Sequence, residues 1–119
     1  MSKGYKFSGS NDVNAVAWNA EDSGSKTHPV GGKAPNELGL FDMSGNVYEW
    51  CWDWYGSYPS SAQTDPTGGS SGSNRVIRGG SWGNDADYGR VAYRGNDDPG
   101  YGGNYIGFRV LRRPPQVTQ

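Results

Sequence analysis

The sequence predicts one small α+β domain of short strands in small β-sheets, with much irregular loop and little helix. Three observations lead there. Gly accounts for 20 of 119 residues, more than twice its usual share, and Gly weakens both helix and strand interiors. Only 33% of the chain is apolar, yet it carries five Trp and eight Tyr. Each of these buries a large area, which gives so polar a chain a core to fold around. The apolar residues that do occur alternate at period two rather than at helical spacing.

Taken in order, the first dozen residues are polar and read as a frayed start. "VNAVAW" (Val13 to Trp18) forms either a short strand or a turn of helix. "AEDSGSKTHPVGGKAPNELG" has the Ser, Gly and Pro content of a long loop. In "VYEWCWDWYG", Tyr48, Trp50, Trp52 and Trp54 fall on one face, with Val47, Glu49, Cys51 and Asp53 on the other. This predicts a strand that buries an aromatic face in the core. "SYPSSAQTDPTGGSSGSN" is a second loop. "RVIRGGSW" is a strand whose paired glycines admit a close backbone neighbour. "IGFRVLRR" alternates Ile106, Phe108 and Val110 with Gly107, Arg109 and Leu111, predicting a last strand.

The net charge of −1 gives no electrostatic footprint for nucleic acid. No apolar run reaches the roughly 18 residues of a membrane span. The single cysteine, Cys51, excludes an internal disulfide and any chemistry that needs two thiols within the chain.

Three stretches, "NELGLFDMSGNVYEWCWDWY", "RVIRGGSW" and "IGFRVLRR", in this order and spacing, resemble the C-terminal half of the formylglycine-generating-enzyme (sulfatase-modifying factor) family over residues 13–113. The resemblance implies a C-type-lectin-like fold, here one pared-down domain over residues 1–119. Catalytic members carry two cysteines just after the RGGS motif, where this chain reads "WGNDADYGRVAYR" with no thiol. A thiolate reaction or soft-metal site needs a thiol there, so no enzyme activity and no catalytic cofactor are expected. Relatives that use iron take it on histidines, whereas His28 is the only one here.

A second resemblance lies in residues 83–105, "GNDADYGRVAYRGNDDPGYGGNY". Seventeen of these twenty-three are Gly, Asn, Asp or Tyr. The segment is similar to the variable region of proteins diversified by retroelements, in which a reverse transcriptase mutates adenines of a template copy. Changing adenines alone turns the Asn codons AAC and AAT into codons for Asp, Tyr, Gly or Ser. The resemblance implies a diversified recognition surface made of Gly83, Asn84, Asp85, Asp87, Tyr88, Tyr93, Gly95, Asn96, Asp97, Asp98, Gly100, Tyr101, Gly102, Gly103, Asn104 and Tyr105. Ala86, Arg90, Val91, Ala92, Arg94, Pro99, Ile106, Gly107 and Phe108 would be its fixed frame. The residue types suit recognition in their own right. Tyr offers rigid contact area at small entropic cost, Asp favours a basic partner, and Gly lets backbone approach a ligand. The expected function is thus a receptor or adhesin for a protein or other macromolecule, on a virion or cell surface. The alternatives are an ordinary Gly-rich loop, a divergent enzyme of the family, a structural module without ligand, or calcium loops at "GNDAD" and "GNDDPG".

The enzyme family also implies a structural Ca2+ around "DMSGNVYE", held by the Asp42 carboxylate, the Gly45 and Val47 carbonyls and the Glu49 carboxylate. These are hard oxygen ligands in one tight turn. Otherwise Asp42 caps a turn and Glu49 pairs with Arg78 or Arg109. Among single residues, His28 reads as a structural hydrogen bonder and Cys51 as a buried inert thiol. Arg90 and Arg94 read as supports beneath the variable loops, and Trp82 as a platform.

Overall fold

The computed structural model describes residues 2–64 and 66–115. Helix α1 (Val13–Val16) is a single turn, started by Asp12, whose side chain accepts from Asn14 N at 3.1 Å. Four strands follow: β1 (Tyr48–Trp54), β2 (Arg75–Arg78), β3 (Gly95–Asp97) and β4 (Ile106–Gly107), with a 3-10 turn at Ala86–Gly89 between β2 and β3. They form one sheet in the order β3-β2-β1-β4. β1 and β2 run antiparallel, as do β2 and β3, while β4 lies parallel to β1. Val76 and Ile77, β-branched and buried, anchor β2 at its centre.

The core is small. Phe7, Val16 and Ala17 form one buried cluster, with Val13 and Ala86 packed against it, and Tyr48, Val76 and Ile77 complete the buried apolar set. With so little hydrocarbon inside, buried polar side chains carry much of the order. Asn46 donates from Nδ2 to the His28 carbonyl at 3.0 Å, and its Oδ1 accepts from His28 N at 2.9 Å. Its own backbone N–H donates to the Trp18 carbonyl and its carbonyl accepts from Trp82 N, both at 2.8 Å. Ser44 Oγ donates to the Gly89 carbonyl at 2.9 Å and accepts from Ser8 N. The turn from Asp42 to Asn46 is therefore a hub joining the first loop, the end of β2 and the segment that follows. His28 stacks flat on Trp18, ring centres 3.7 Å apart, which bears out its reading as a structural residue.

Four expectations need correction. The start of the chain is not frayed: Phe7 is buried and bridges to Ser10, its ring completing the cluster with Val16 and Ala17. The aromatic row of β1 is not a uniform core face. Tyr48 is buried, but Trp52 is 81% exposed, because the β1–β2 register shifts between Trp50 and Trp54 and re-aims the side chains there. The last strand ends at Gly107, leaving Phe108 and Val110 exposed; no sheet face is present beyond β4 to bury them. Cys51 is half-buried rather than buried, and burial, followed by the nearby Asp53 carboxylate, raises its thiol above the ordinary value.

Gly45 marks where the hub is tightest. Its φ is +81°, and a Cβ there would lie 2.6 Å from the Trp18 carbonyl oxygen. Gly39 has nearly the same φ, +77°, with open space around it. Gly39→Ala then costs only backbone strain, about 1 kcal/mol, whereas Gly45→Ala adds a backbone clash and costs about 3 kcal/mol or more. Urea unfolding of the two variants checks the difference.

Candidate ligand-binding surface

β2 runs into Gly79 and Gly80, both at positive φ. Gly79 O accepts from Gly45 N at 2.6 Å, and a Cβ on Gly79 would meet the Met43 carbonyl at 2.9 Å. The paired glycines thus let this backbone cross the hub at contact distance, as the sequence implied. Residues 83–105 then leave the crossing as a loop closed at its base. Trp82 Nε1 donates to the Asn104 carbonyl at 2.9 Å, joining the two ends of the segment.

Within that loop the chain folds locally. Asp85 accepts from Asp87 N at 3.1 Å and caps the 3-10 turn. Ala86 in that turn packs on the Phe7 cluster. Arg90 Nε donates to the Asp87 carbonyl at 3.0 Å. Val91 N donates to the Lys6 carbonyl at 2.9 Å. The Arg78 guanidinium, reaching up from β2, donates to the carbonyls of Val91 and Tyr93 at 3.1 and 3.2 Å. β3 pairs with β2, so part of the segment is a sheet edge, which composition alone did not suggest. Asp98 Oδ1 then caps a turn by accepting from Gly100 N at 2.8 Å.

Most of the predicted surface residues face solvent. Gly83, Asp85, Asp87, Tyr88, Asn96, Asp98, Gly100, Tyr101, Gly102, Gly103 and Asn104 are exposed, while Tyr93, Asp97 and Tyr105 are half-buried. Two tyrosine pairs stand out. Tyr88 and Tyr93 meet edge to face at 5.0 Å, and Tyr101 lies 5.7 Å from Tyr105. Tyr105 also contacts Tyr48 edge to face at 6.5 Å and donates to Asp97 at 3.2 Å. Its hydroxyl is pushed up by hydrogen bonding with Tyr101 first, then by burial and Asp97. Burial raises Tyr48 and Tyr93, with neighbouring tyrosines adding to the effect. All three therefore remain neutral hydroxyls at physiological pH.

Two of the residues assigned to the surface belong to the frame instead. Asn84 is half-buried; its Oδ1 accepts from Ser81 N at 3.1 Å and Ser81 Oγ at 2.7 Å, and its carbonyl accepts from Ala20 N. Gly95 is buried, and a Cβ there would press on Ile77 at 3.2 Å. Conversely, Phe108, read as frame, is exposed. Arg94 does not lie beneath the loops. Its guanidinium donates to the Gly56 carbonyl and stacks on Tyr55 and Tyr58, at 4.8 and 3.9 Å from the ring centres. Arg75 does the same on Trp52 and Trp54, at 4.6 and 3.7 Å. This aromatic–arginine array was missed from sequence, because Arg75 and Arg94 both lie far downstream of the W-x-W-Y run they stack on.

The residues of the implied metal turn come together around one cavity of about 440 Å³, lined by Asp42, Gly45, Val47 and Glu49 among others. Asp42 is buried at φ +57°; its Oδ2 accepts from Gly31 N at 2.8 Å, and its Oδ1 is buried with no partner. Glu49 forms an ion pair with Arg109, which also donates to the Phe41 and Asp42 carbonyls at 3.0 Å. Of the two arginines considered for Glu49, it is Arg109.

Residues 2–114 match the family described as the sulfatase-modifying factor enzyme 1-like domain. The chain belongs to that family. A solved structure, Treponema denticola variable protein 1, is 46% identical and superposes with a TM-score of 0.83 over 87% of this chain and 39% of its own length. The α+β, C-type-lectin-like fold expected from sequence is thereby established. Among curated relatives, the formylglycine-generating enzyme of Streptomyces coelicolor is 41% identical over 76% of this chain and 30% of its own. The chaperone protein LppX of Paenibacillus barcinonensis is 34% identical over 93% and 42%. The chain thus spans less than half the length of these relatives.

The division between frame and surface has a direct consequence. Asn84→Ala strands two Ser81 donors and lowers stability by about 1–2 kcal/mol. In Asn104, only the carbonyl is engaged, so Asn104→Ala stays within about 0.5 kcal/mol of the parent. Tyr101→Ala, which loses a tilted ring contact and a hydroxyl hydrogen bond with Tyr105 at an exposed position, costs about 1 kcal/mol. Chemical denaturation of the three variants checks this ranking.

Proposed function

We propose that the family member described here is a non-enzymatic ligand-binding protein whose residues 83–105 are a diversified recognition surface. The observation that carries the reading is how the rest of the molecule grips this segment. Trp82 holds the Asn104 carbonyl, Arg78 the Val91 and Tyr93 carbonyls, Ser44 the Gly89 carbonyl, and Tyr48 N the Tyr105 carbonyl, while Val91 N donates to the Lys6 carbonyl. Every one of these bonds uses a backbone atom of the segment. A backbone atom is the same whatever side chain follows it, so exchanging Asp87, Tyr88, Asp98 or Tyr101 leaves these hydrogen bonds in place, whereas Asn96 is also held by its side chain, its Oδ1 accepting from Asn74 Nδ2 at 2.8 Å.

The likeness to a protein titled a variable protein supports the same reading. Tyr88 and Tyr101, 38% and 46% exposed, are the proposed anchors, since partly exposed tyrosines lose little entropy on docking. The partner is a protein or other macromolecule with basic or donor groups facing Asp87 and Asp98; a receptor or adhesin role on a virion or cell surface fits such a partner. The formylglycine-generating enzymes among the relatives are enzymes by name, but the one thiol here, Cys51, lies in β1 away from the segment after RGGS. Sequencing the coding DNA and its flanks tests the proposal. The expected finding is a second copy of the stretch encoding Arg75 to Arg109, differing only at adenines and accompanied by a reverse-transcriptase gene; an intact flank without such a copy refutes it.

The same reading includes a structural Ca2+ at the hub. The orphaned buried Asp42 Oδ1 is the observation that fits it, since a lone buried carboxylate oxygen calls for a cation or donor. Asp42 and the Gly45 and Val47 carbonyls would hold the ion, with Glu49 joining once released from Arg109. The ion would supply structural stabilisation only. The expected outcome is a melting temperature that rises with added CaCl2 and falls back with chelator, an increment lost in Asp42→Ala. No shift at millimolar CaCl2 excludes the site, and binding at 100 times Kd would add about 2.7 kcal/mol.

A further inference from the structure

Beyond the variable segment, a second cavity lies at the far end of β1. It measures about 510 Å³ and is lined by residues 53–59, 63–64, 66–69 and 71 together with Arg94, a size that suits a small ligand. The loop is seated rather than draped. Gly68, at φ +86°, packs so close to Asp53 that a Cβ would lie 2.4 Å from the Asp53 Cβ, and Gly69 bridges to Trp54.

Trp54, Tyr55 and Tyr58 supply ring surfaces to this cavity, and Asp53, Gln63 and Thr67 supply hydrogen-bonding groups. One face of each ring already carries a cation: Arg75 lies 3.7 Å from the Trp54 ring centre, and Arg94 lies 4.8 and 3.9 Å from those of Tyr55 and Tyr58, with Tyr55 still 42% exposed. The Arg94 guanidinium and the Asp53 carboxylate both line the cavity and offset one another, so neither a cationic nor an anionic ligand is favoured by its charge. Tyr58 is nevertheless 69% exposed, so it offers ring surface to a ligand while Arg94 backs it. Flat apolar ring surface beside a carboxylate, an amide and a hydroxyl matches an uncharged molecule with C–H faces and several hydroxyls.

We propose that this cavity is a binding site for a neutral pyranose unit of a glycan, its ring C–H groups on Tyr58 and Tyr55 and its hydroxyls on Asp53, Gln63 and Thr67. The site is made of residues outside the variable segment, apart from Arg94, so its ligand class does not change when that segment does. It also differs from the hub, requiring no metal.

The test is titration of the isotopically labelled chain with neutral trisaccharides of glucose, mannose, galactose and N-acetylglucosamine, up to about 10 mM to reach millimolar affinities. The expected result is that at least one gives saturable amide shifts at residues 53–58 and 67–71, unaffected by chelator. Tyr58→Ala and Gln63→Ala, both at exposed positions, should each weaken that binding about tenfold with an unchanged melting temperature. Tyr101→Ala should leave it as in the parent, which separates this site from the variable surface. The proposal is overturned if no trisaccharide shifts these amides, if shifts fall on residues 83–105 instead, if Tyr58→Ala binds as the parent does, or if only a proline-rich peptide perturbs the cavity.

Discussion

The fold depends on the way Asn46 is used up. Its side-chain amide both gives to and takes from the backbone of His28, and its own N–H and carbonyl reach Trp18 and Trp82. Those four bonds fasten three stretches of chain that have almost no hydrocarbon in common. In a domain with six buried apolar residues among those described, such a junction replaces packing as the source of a unique arrangement. Buried polar networks can do so only when each group is satisfied, since an unpaired one costs as much as a good bond contributes. The left-handed backbone at Asn46, φ +70°, is compatible with this because Asn tolerates that region better than other side chains.

Once the hub is fixed, the glycines around it follow. Gly45 and Gly79 face each other across a 2.6 Å hydrogen bond, and neither can carry a Cβ without striking a carbonyl. The consequence reaches the candidate site, because Gly79 and Gly80 feed directly into Ser81, Trp82 and the base of the displayed segment. Rigidity at the crossing is transmitted along a few residues to the closure between Trp82 and Asn104.

Much of this was legible in the sequence, and what was not has identifiable physical causes. The strands at Tyr48–Trp54 and Arg75–Arg78 showed as period-two alternation, and the paired glycines announced a close crossing. The register shift in β1 left no trace in the alternation, so Trp52 read as core although it is exposed. Phe7 was lost because Tyr5 and Phe7, among polar neighbours, are too few to set a period. Asn84 and Gly95 carry the same residue types as the exposed positions. Only their partners, Ser81 in one case and Ile77 in the other, show that they serve the frame. Arg94 was placed beneath the loops with Arg90 by spacing, but its stacking partners, Tyr55 and Tyr58, lie nearly forty residues earlier.

The division of labour between backbone and side chain is what allows a surface to vary on a scaffold that does not. Had Arg78 bonded the Tyr93 hydroxyl rather than its carbonyl, replacing that tyrosine would have loosened β2. As built, the carbonyls of Gly89, Val91, Tyr93, Asn104 and Tyr105 take the bonds from the frame. The side chains of Tyr88 and Tyr101 are left to solvent or to neighbouring tyrosines of the segment, and Asn96 adds a side-chain bond to Asn74. The exceptions fit the rule. Asn84 is held by its side chain, and Gly95 by the absence of one. On this reasoning these two should tolerate the least change within residues 83–105, although composition does not set them apart from their neighbours. A segment can be both firmly held and freely substituted when its restraints and its chemistry reside on different atoms.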